Sequence, residues 1–255
     1  CAEQMLYAAC FRAMAEISEQ IGKDGSVYRA EYEKLTAVIE KFFWDEEKGA
    51  YIDSFTSGRR NVTRHANIFA ILFSIADEKK QEKILKNVLE NVEIPAITTP
   101  YFNFFELDVL CRMGKLTEVL DKIRSYWGGM LDLGAVTFWE EYDPSVPKEE
   151  QYDMYGDHFG KSLCHAWAAS PIYFLAKYFA GLDLVNKDGV TYILKPQMQY
   201  FTELDCTLPV GSNGVVRLVW DGEILEITPN ADGGILELGE QKLSLVRGET
   251  RRVNI

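Results

Sequence analysis

Apolar residues recur every three to four positions through about the first two-thirds of the chain, which is the spacing of α-helices. Helices that are apolar on nearly every side, such as Arg64–Ala76, alternate with helices that are polar on one side, such as Glu78–Asn91. This alternation is typical of an inner ring of helices wrapped by an outer ring. A helical-repeat array would look similar, but the sequence has no fixed repeat period. The predicted helices are 3–21, Tyr28–Phe43, Arg64–Ala76, Glu78–Asn91, Phe102–Met113, Lys115–Trp127 and Lys161–Tyr178.

Three local patterns modify this series of helices. Pro171 lies inside the last predicted helix and is expected to kink it. Trp44–Tyr51 predicts a tight turn that ends in a short extended piece. The long stretch Gly128–Gly160 predicts a loop, and its aromatic content argues against disorder and for a function.

The pattern changes near the end of the helical part, where short β-branched runs separated by turn residues begin. Asp221-Gly222 predicts a type I′ hairpin turn, and Gly211–Gly214 predicts a further turn. The tail is therefore predicted to be a small antiparallel β-sandwich. We place the domain boundary so that residues 1–183 are helical and residues 184–255 form the β domain. The predicted strands are 191–194, Val215–Trp220, Ile224–Thr228, Ile235–Leu238 and Leu243–Val246.

Charge and cysteine content narrow the possible partners. The net charge of -12 disfavours nucleic acid, because an acidic surface repels phosphates. No stretch is apolar enough for a membrane span, so no membrane partner is predicted. The five cysteines are widely spaced, which predicts buried free thiols and neither a disulfide framework nor a zinc site. The chain opens at Cys1 directly into a helix, so we expect a piece of a longer protein.

Three carboxylates lie among aromatic residues in the segment Phe138–Asp143. Close like charges and partial burial both raise carboxylate pKa values, which suits a general acid or base that works near neutral pH. Two other interpretations remain open for this segment. It is also compatible with an acidic loop tip anchored by Trp139, and with a calcium site, since carboxylate oxygens are hard ligands.

Two histidines are further candidates. His165 follows Ser162-Leu163-Cys164 and is expected in the first turns of a buried helix, where it is either a ligand-binding residue or a hydrogen-bonded core residue. His65 lies in Arg64-His65-Ala66-Asn67 at the start of a buried helix. It either lines a pocket at the mouth of a helical barrel or belongs to a group of residues that cap the helix.

Four motifs together resemble the bacterial α-L-rhamnosidases of glycoside hydrolase family 78. They are Trp44-Asp45-Glu46-Glu47-Lys48-Gly49, Arg64-His65-Ala66-Asn67, Gly134-Ala135-Val136-Thr137-Phe138-Trp139-Glu140-Glu141 and Ser162-Leu163-Cys164-His165-Ala166-Trp167. The resemblance covers the whole chain, and the Phe-Trp-Glu motif followed by the histidine segment is its most specific part. It implies the second half of a six-hairpin α/α barrel (a toroid), followed by the C-terminal β-sandwich of that family.

The resemblance also implies roles for individual residues. Glu140, and not Glu141, would be the general base that activates water in an inverting hydrolysis. His165 would contact the rhamnose, Trp139 would stack on the deoxy sugar, and His65 would line the pocket. The general acid of the family lies in an earlier acidic motif that this sequence lacks, so we expect the chain alone to be an incomplete and inactive hydrolase. Neither a cofactor nor a metal ion is implied, and the expected partner is a carbohydrate, a rhamnoside.

Other functions remain open at this point. A different six-hairpin enzyme, either another glycosidase or a polysaccharide lyase, would share the fold, and a lyase would release an unsaturated product that absorbs ultraviolet light. A non-catalytic glycan-binding protein would also fit. The sequence leaves the oligomeric state open, and it leaves the compartment open between the bacterial periplasm, the exterior and the cytoplasm.

Overall fold

The computed structural model describes residues 1–187, 190–212 and 214–254. The chain divides into two compact units. The first unit consists of Cys1–Gly114 with Gly129–Ala168, and the second of Lys115–Gly128 with Ala169–Ile255. The domain boundary predicted at residues 183 and 184 stays a prediction.

Six of the predicted helices are present with different ends. The helices of the structure are α1 (Ala2–Gln20), α2 (Ser26–Phe43), α3 (Arg64–Leu72), α4 (Glu78–Ile84), α5 (Pro100–Arg112), α6 (Leu116–Lys122), α7 (Gly128–Asp132) and α8 (Ser170–Phe174). The short helix α7 lies at the start of the stretch that was predicted to be a loop. Three of the helices, α4, α6 and α8, continue into π-helical turns at Leu85–Leu89, Ile123–Trp127 and Leu175–Phe179. None of the helices in the described part of the chain is long and apolar enough to cross a membrane.

The prediction of one continuous helix over Lys161–Tyr178 is wrong. Residues 161–165 are irregular, Ala166–Ala168 forms a single 3₁₀ turn, and α8 begins only at Ser170. Pro171 lies in the first turn of α8, where its missing N–H breaks no helical hydrogen bond, so it starts a helix and does not kink one. His165 therefore lies in a loop and not in the first turns of a helix.

Helix α3 lies at the centre of the first unit. Eight of its nine residues are buried, and it packs against α1 and α5. Alanine and large aliphatic side chains on α3 fill the space between these neighbours, as its nearly uniform apolar pattern predicts. By contrast, only Ile84 is buried on α4, which confirms that this helix is amphipathic.

A short hairpin precedes α3 and is fastened to it by one side chain. Strands β1 (Trp44–Asp45) and β2 (Ala50–Tyr51) form the predicted turn. The Tyr51 N–H donates to Asn67 Oδ1 at 2.8 Å, and Asn67 Nδ2 donates to the Tyr51 carbonyl at 3.0 Å. Asn67 is fully buried, and its side-chain amide pairs with the backbone N–H and carbonyl of Tyr51 as a neighbouring strand would.

The second unit contains two four-stranded sheets that share one core. The strands are β3 (Leu182–Lys187), β4 (Val190–Leu194), β5 (Leu204–Val210), β6 (Gly214–Trp220), β7 (Ile224–Pro229), β8 (Gly234–Leu238), β9 (Gln241–Leu245) and β10 (Arg251–Asn254). Their orders are β10-β7-β6-β5 and β3-β4-β8-β9. Val216 and Leu218 of one sheet and Leu194 and Leu236 of the other belong to the same buried cluster, as in a β-sandwich.

Two details differ from the sequence-based expectations. Strands β4 and β8 run parallel, whereas every other neighbouring pair among the described strands is antiparallel. The β6–β7 hairpin is present, but its central residues are Gly222 and Glu223, of which only Gly222 has a positive φ. That pattern is typical of a type II′ turn and excludes the predicted type I′ turn. Asn213, in the other predicted turn, lies outside the described residues.

The five cysteines are free thiols, as predicted, but only Cys111 is buried. Cys10 and Cys164 are exposed, so the expectation of uniformly buried thiols is wrong. Burial raises the pKa of the Cys111 thiol to about 12, which keeps it protonated at neutral pH.

Candidate active site

Two loop segments that are distant in sequence run side by side in the first unit. The Glu140 N–H donates to the Ser162 carbonyl at 2.9 Å, and the His165 N–H donates to the Phe138 carbonyl at 2.8 Å. These backbone hydrogen bonds join the Phe-Trp-Glu segment to the histidine segment like two short strands. Two of the candidate residues named from the sequence, Glu140 and His165, are thereby brought to one place.

The Glu140 carboxylate is buried and has a donor at each oxygen. The Ser162 N–H donates to Oε2 at 3.1 Å, and the Tyr155 hydroxyl donates to Oε1 at 3.1 Å. His165 Nδ1 lies 3.8 Å from Oε2. A carboxylate held in this way still has lone pairs that can accept a proton from water, as a general base does.

The neighbouring Glu141 makes a different set of contacts. Its Oε1 accepts a hydrogen bond from the Thr98 hydroxyl at 3.0 Å, and its Oε2 lies 4.0 Å from Lys161 Nζ. Burial lowers the pKa of Lys161, while Glu141 and other nearby carboxylates act in the opposite direction. Adjacent side chains of an extended segment point to opposite sides, which separates the contacts of Glu141 from those of Glu140.

Trp139 lies beneath the loop. Only 3% of its surface is exposed, and its ring packs edge-on against Tyr152 with centroids 5.7 Å apart. The predicted stacking of Trp139 on a sugar remains untested. In this conformation the Trp139 ring is buried within the loop that carries Glu140.

A row of rings connects the two candidate histidines, and we call it the aromatic row. It consists of His65, Phe102, Tyr101, Trp167 and His165, in this order. Successive ring centroids are 4.2, 6.4, 5.2 and 4.1 Å apart. Tyr101 and Trp167 are each 48% exposed, so their faces are open to a ligand. The site predicted from sequence did not include Trp167, although its place two residues after His165 could have indicated it.

His65 begins the aromatic row next to a buried ion pair. Loss of water around its ring lowers the pKa of His65, and the carboxylates of Asp53 and Glu106 act against this shift. Arg64 turns inward and pairs with Glu106, with Nη1 and Oε1 2.9 Å apart. His65 thus points towards the exposed rings, whereas Arg64 and Asn67 of the same motif hold α3 in the core.

A cleft of about 780 Å³ lies elsewhere in the first unit. Its lining includes Asp53, Arg60, Asn87 and Glu93, and it contains neither Glu140 nor His165. Within residues 1–187, 190–212 and 214–254, no group of three or more His, Cys, Asp or Glu side chains could hold a metal ion.

The first unit thus brings a carboxylate and an imidazole together beside exposed rings, and the second unit is a β-sandwich. Residues 1–179 match the bacterial α-L-rhamnosidase six-hairpin glycosidase domain. This chain belongs to that family. The match confirms the resemblance found in the sequence and the fold class, a partial six-hairpin domain followed by small β-sheets.

Solved rhamnosidase structures resemble the chain over part of their length. A Klebsiella oxytoca rhamnosidase with rhamnose bound is 27% identical, with a TM-score of 0.60 over 69% of this chain and 34% of its own. A family 78 rhamnosidase of Bacillus sp. GL1 is 23% identical, with a TM-score of 0.75 over 92% of this chain and 26% of its own.

A Streptomyces avermitilis α-L-rhamnosidase complexed with L-rhamnose is 16% identical, with a TM-score of 0.67 over 91% of this chain and 22% of its own. The Bacillus and Streptomyces likenesses concern the fold alone. The chain thus spans about a third or less of the length of each of these structures. No curated protein sequence matches the chain.

Proposed function

We propose that this chain carries the water-activating side of the active site of an inverting α-L-rhamnosidase, with Glu140 as the general base. One observation carries this proposal: the buried Glu140 carboxylate lies 3.8 Å from His165, at one end of the exposed aromatic row. The sugar is inferred from kinship, because two of the similar structures contain rhamnose.

In the proposed reaction, Glu140 takes a proton from a water molecule whose oxygen attacks the anomeric carbon. The bond between that carbon and the glycosidic oxygen breaks, and a general acid protonates the leaving oxygen. Inverting enzymes hold the acid and the base roughly 6.5–9.5 Å apart, which leaves room for the water. We propose that the acid comes from a part of the enzyme outside this chain.

The other residues of the site would bind the sugar. A ring nitrogen of His165 would hydrogen-bond a sugar hydroxyl next to the reacting carbon. Trp167 and Tyr101 have open faces and would pack against the apolar side of the deoxy sugar, the role first predicted for Trp139. His65, at the far end of the aromatic row, would line the pocket there.

Two neighbouring glutamates provide a test with an internal control. In the complete enzyme that carries this chain, Glu140→Gln should lower kcat by about 10²–10⁴-fold, the usual contribution of a general base. Glu141→Gln should leave most of kcat, because Glu141 contacts Thr98 and Lys161. The assay is release of 4-nitrophenol from 4-nitrophenyl α-L-rhamnoside, stopped in alkali. A dead Glu141→Gln enzyme would mean that the assignment is off by one residue.

The identity of the base can also be tested by rescue. Azide has no proton to lose, so it should attack the anomeric carbon of the substrate in Glu140→Ala and yield the rhamnosyl azide of inverted configuration. In the unsubstituted enzyme, NMR of the first product should show the β-anomer of rhamnose. If the Glu140 variants keep their activity, this loop does not supply the base.

A further inference from the structure

A small hairpin lies over the candidate general base. It runs from Tyr152 to Lys161, and it is closed at its base by the Lys161 N–H, which donates to the Tyr152 carbonyl at 3.1 Å. At its tip, Met154 and Asp157 exchange two backbone hydrogen bonds of 2.9 and 3.0 Å. This segment belongs to the long loop that the sequence marked as functional.

The tip of this hairpin is a tight turn with an unusual residue in it. Tyr155 and Gly156 are the two central residues, with φ values of 55° and 82°. Positive φ at both central positions defines a type I′ turn, which favours Asn, Asp or Gly. An aromatic residue in this left-handed region clashes with its own backbone and costs energy. Tyr155 is therefore a poor choice for the turn itself.

Burial does not compensate for this cost, because Tyr155 is 82% exposed. The contact that Tyr155 does make is at its hydroxyl, which donates to Glu140 Oε1 at 3.1 Å. The Glu140 carboxylate in turn raises the pKa of Tyr155, so the phenol stays protonated and remains a donor. A strained residue that persists next to a reactive group points to a function for that residue.

We propose that Tyr155 is a positioning residue, whose hydroxyl holds the Glu140 carboxylate in the orientation needed to activate water. The proposal rests on the assignment of Glu140 as the general base. Ser162 donates to one carboxylate oxygen and Tyr155 to the other, so the plane of the carboxylate is fixed at both ends. Each oxygen keeps a second lone pair that can accept a proton from water.

Tyr155→Phe in the complete enzyme tests this role, because it removes one hydroxyl and keeps the ring. The hydroxyl contacts the proposed base and not the sugar, so its loss should lower kcat and leave KM unchanged. We expect kcat to fall by about 2–10-fold. Tyr152→Phe is the matched control. It removes a hydroxyl of the same hairpin that makes no hydrogen bond to Glu140, and its kcat and KM should be unchanged.

A second variant separates positioning from folding of the hairpin. Tyr155→Asn suits a type I′ turn, so it should keep or raise Tm. It should nevertheless lower kcat at unchanged KM, as Tyr155→Phe does, because it also removes the phenol. The proposal is overturned if either variant keeps the kcat of the unsubstituted enzyme, or raises KM and not kcat, while Glu140→Gln is inactive. If Glu140→Gln is active, the proposed general base is wrong instead.

Discussion

Glu106→Gln should destabilise the first unit by about 3–5 kcal/mol, because it leaves the charge of Arg64 buried without a partner. The Arg64 and Glu106 side chains are only 9% and 7% exposed, and their charged atoms are 2.9 Å apart. Arg64 Nη1 also donates to the Leu89 carbonyl at 3.0 Å, so the guanidinium cannot turn away without losing a second contact. The substituted amide keeps the shape of the carboxyl group and removes only its charge.

This loss should be visible as a lower Tm. For a domain of about 150–250 residues, each kcal/mol corresponds to about 2–4 °C, so the expected decrease is about 6–20 °C. Thermal unfolding of the complete enzyme measures this decrease. Hydrogen–deuterium exchange on peptides from α3 and α5 should show that the loss begins there, since the two partners lie on these helices.

A double variant and a surface control make the reasoning refutable. Among the described residues, Arg64 Nε and Glu106 Oε2 are buried without hydrogen-bond partners, so the pair offsets only part of the cost of its burial. Arg64→Met with Glu106→Leu should therefore be more stable than Glu106→Gln alone. Asp205→Asn breaks an exposed pair with Arg217 and should change Tm little. If Glu106→Gln costs less than about 1 kcal/mol, the buried pair behaves like a surface pair and the reasoning fails.

Four further outcomes are expected. The 255-residue chain on its own should release no measurable 4-nitrophenol from the aryl rhamnoside, and a clear rate would contradict the view that the acid lies outside it. His165→Ala should mainly raise KM, by the equivalent of about 1–3 kcal/mol if a sugar hydroxyl loses its partner, and a loss confined to kcat would contradict this role. Trp220→Ala should cost about 3–5 kcal/mol of stability and leave KM unchanged, because Trp220 is 7% exposed and its indole N–H donates to the Phe201 carbonyl. Because burial lowers the pKa of His65, the unfolded chain binds a proton first as the pH falls below about 6.5, and His65 then reduces stability. His65→Gln should therefore lessen the fall in Tm between about pH 8 and about pH 5, and an unchanged fall would exclude this effect.

Helix and hairpin patterns predicted the first unit well where one periodicity dominates. Helix α3 is apolar on every side because it is surrounded by other elements, and the sequence alone indicates this. The failure over Lys161–Tyr178 has a physical cause. Backbone pairing with the Phe-Trp-Glu segment draws residues 162–165 into an extended loop, and local helical propensity cannot reveal a partner so distant in sequence.

The strands missed in the second unit include both edges of one sheet. Strand β5 contains Pro209, and a proline argues against a strand in sequence analysis. Proline has no backbone N–H, but β5 lies at the edge of its sheet, where no further strand needs that donor. Strand β10 at the other edge begins with Arg251 and Arg252, so its apolar alternation is weak. Charged residues and proline at a sheet edge limit pairing with other molecules. The same residues weaken the alternation of apolar and polar positions, so such edge strands are difficult to predict from the sequence.

For the site, the sequence indicated the residue types but not their arrangement. The sequence named Glu140 and His165 in separate segments, and their roles stay predictions. Only the fold shows that the two side chains lie close together and which carboxylate oxygen faces the histidine. The burial of Trp139 and the contact from Tyr155 depend on how the hairpin folds back, which no spacing encodes. Type I′ turns usually have Asn, Asp or Gly at their central positions, so turn rules would not predict a tyrosine there.

The parallel pairing of β4 with β8 affects how this protein is made. Tyr192 pairs with Gly234, roughly forty residues later, and a side chain at Gly234 would overlap the Tyr192 ring. At synthesis rates of about 5–20 residues per second, the partner of β4 leaves the ribosome about 2–8 s after β4 itself. During that interval β4 presents an open edge with an apolar face. A truncation before β8 would leave this edge of β4 without its partner strand.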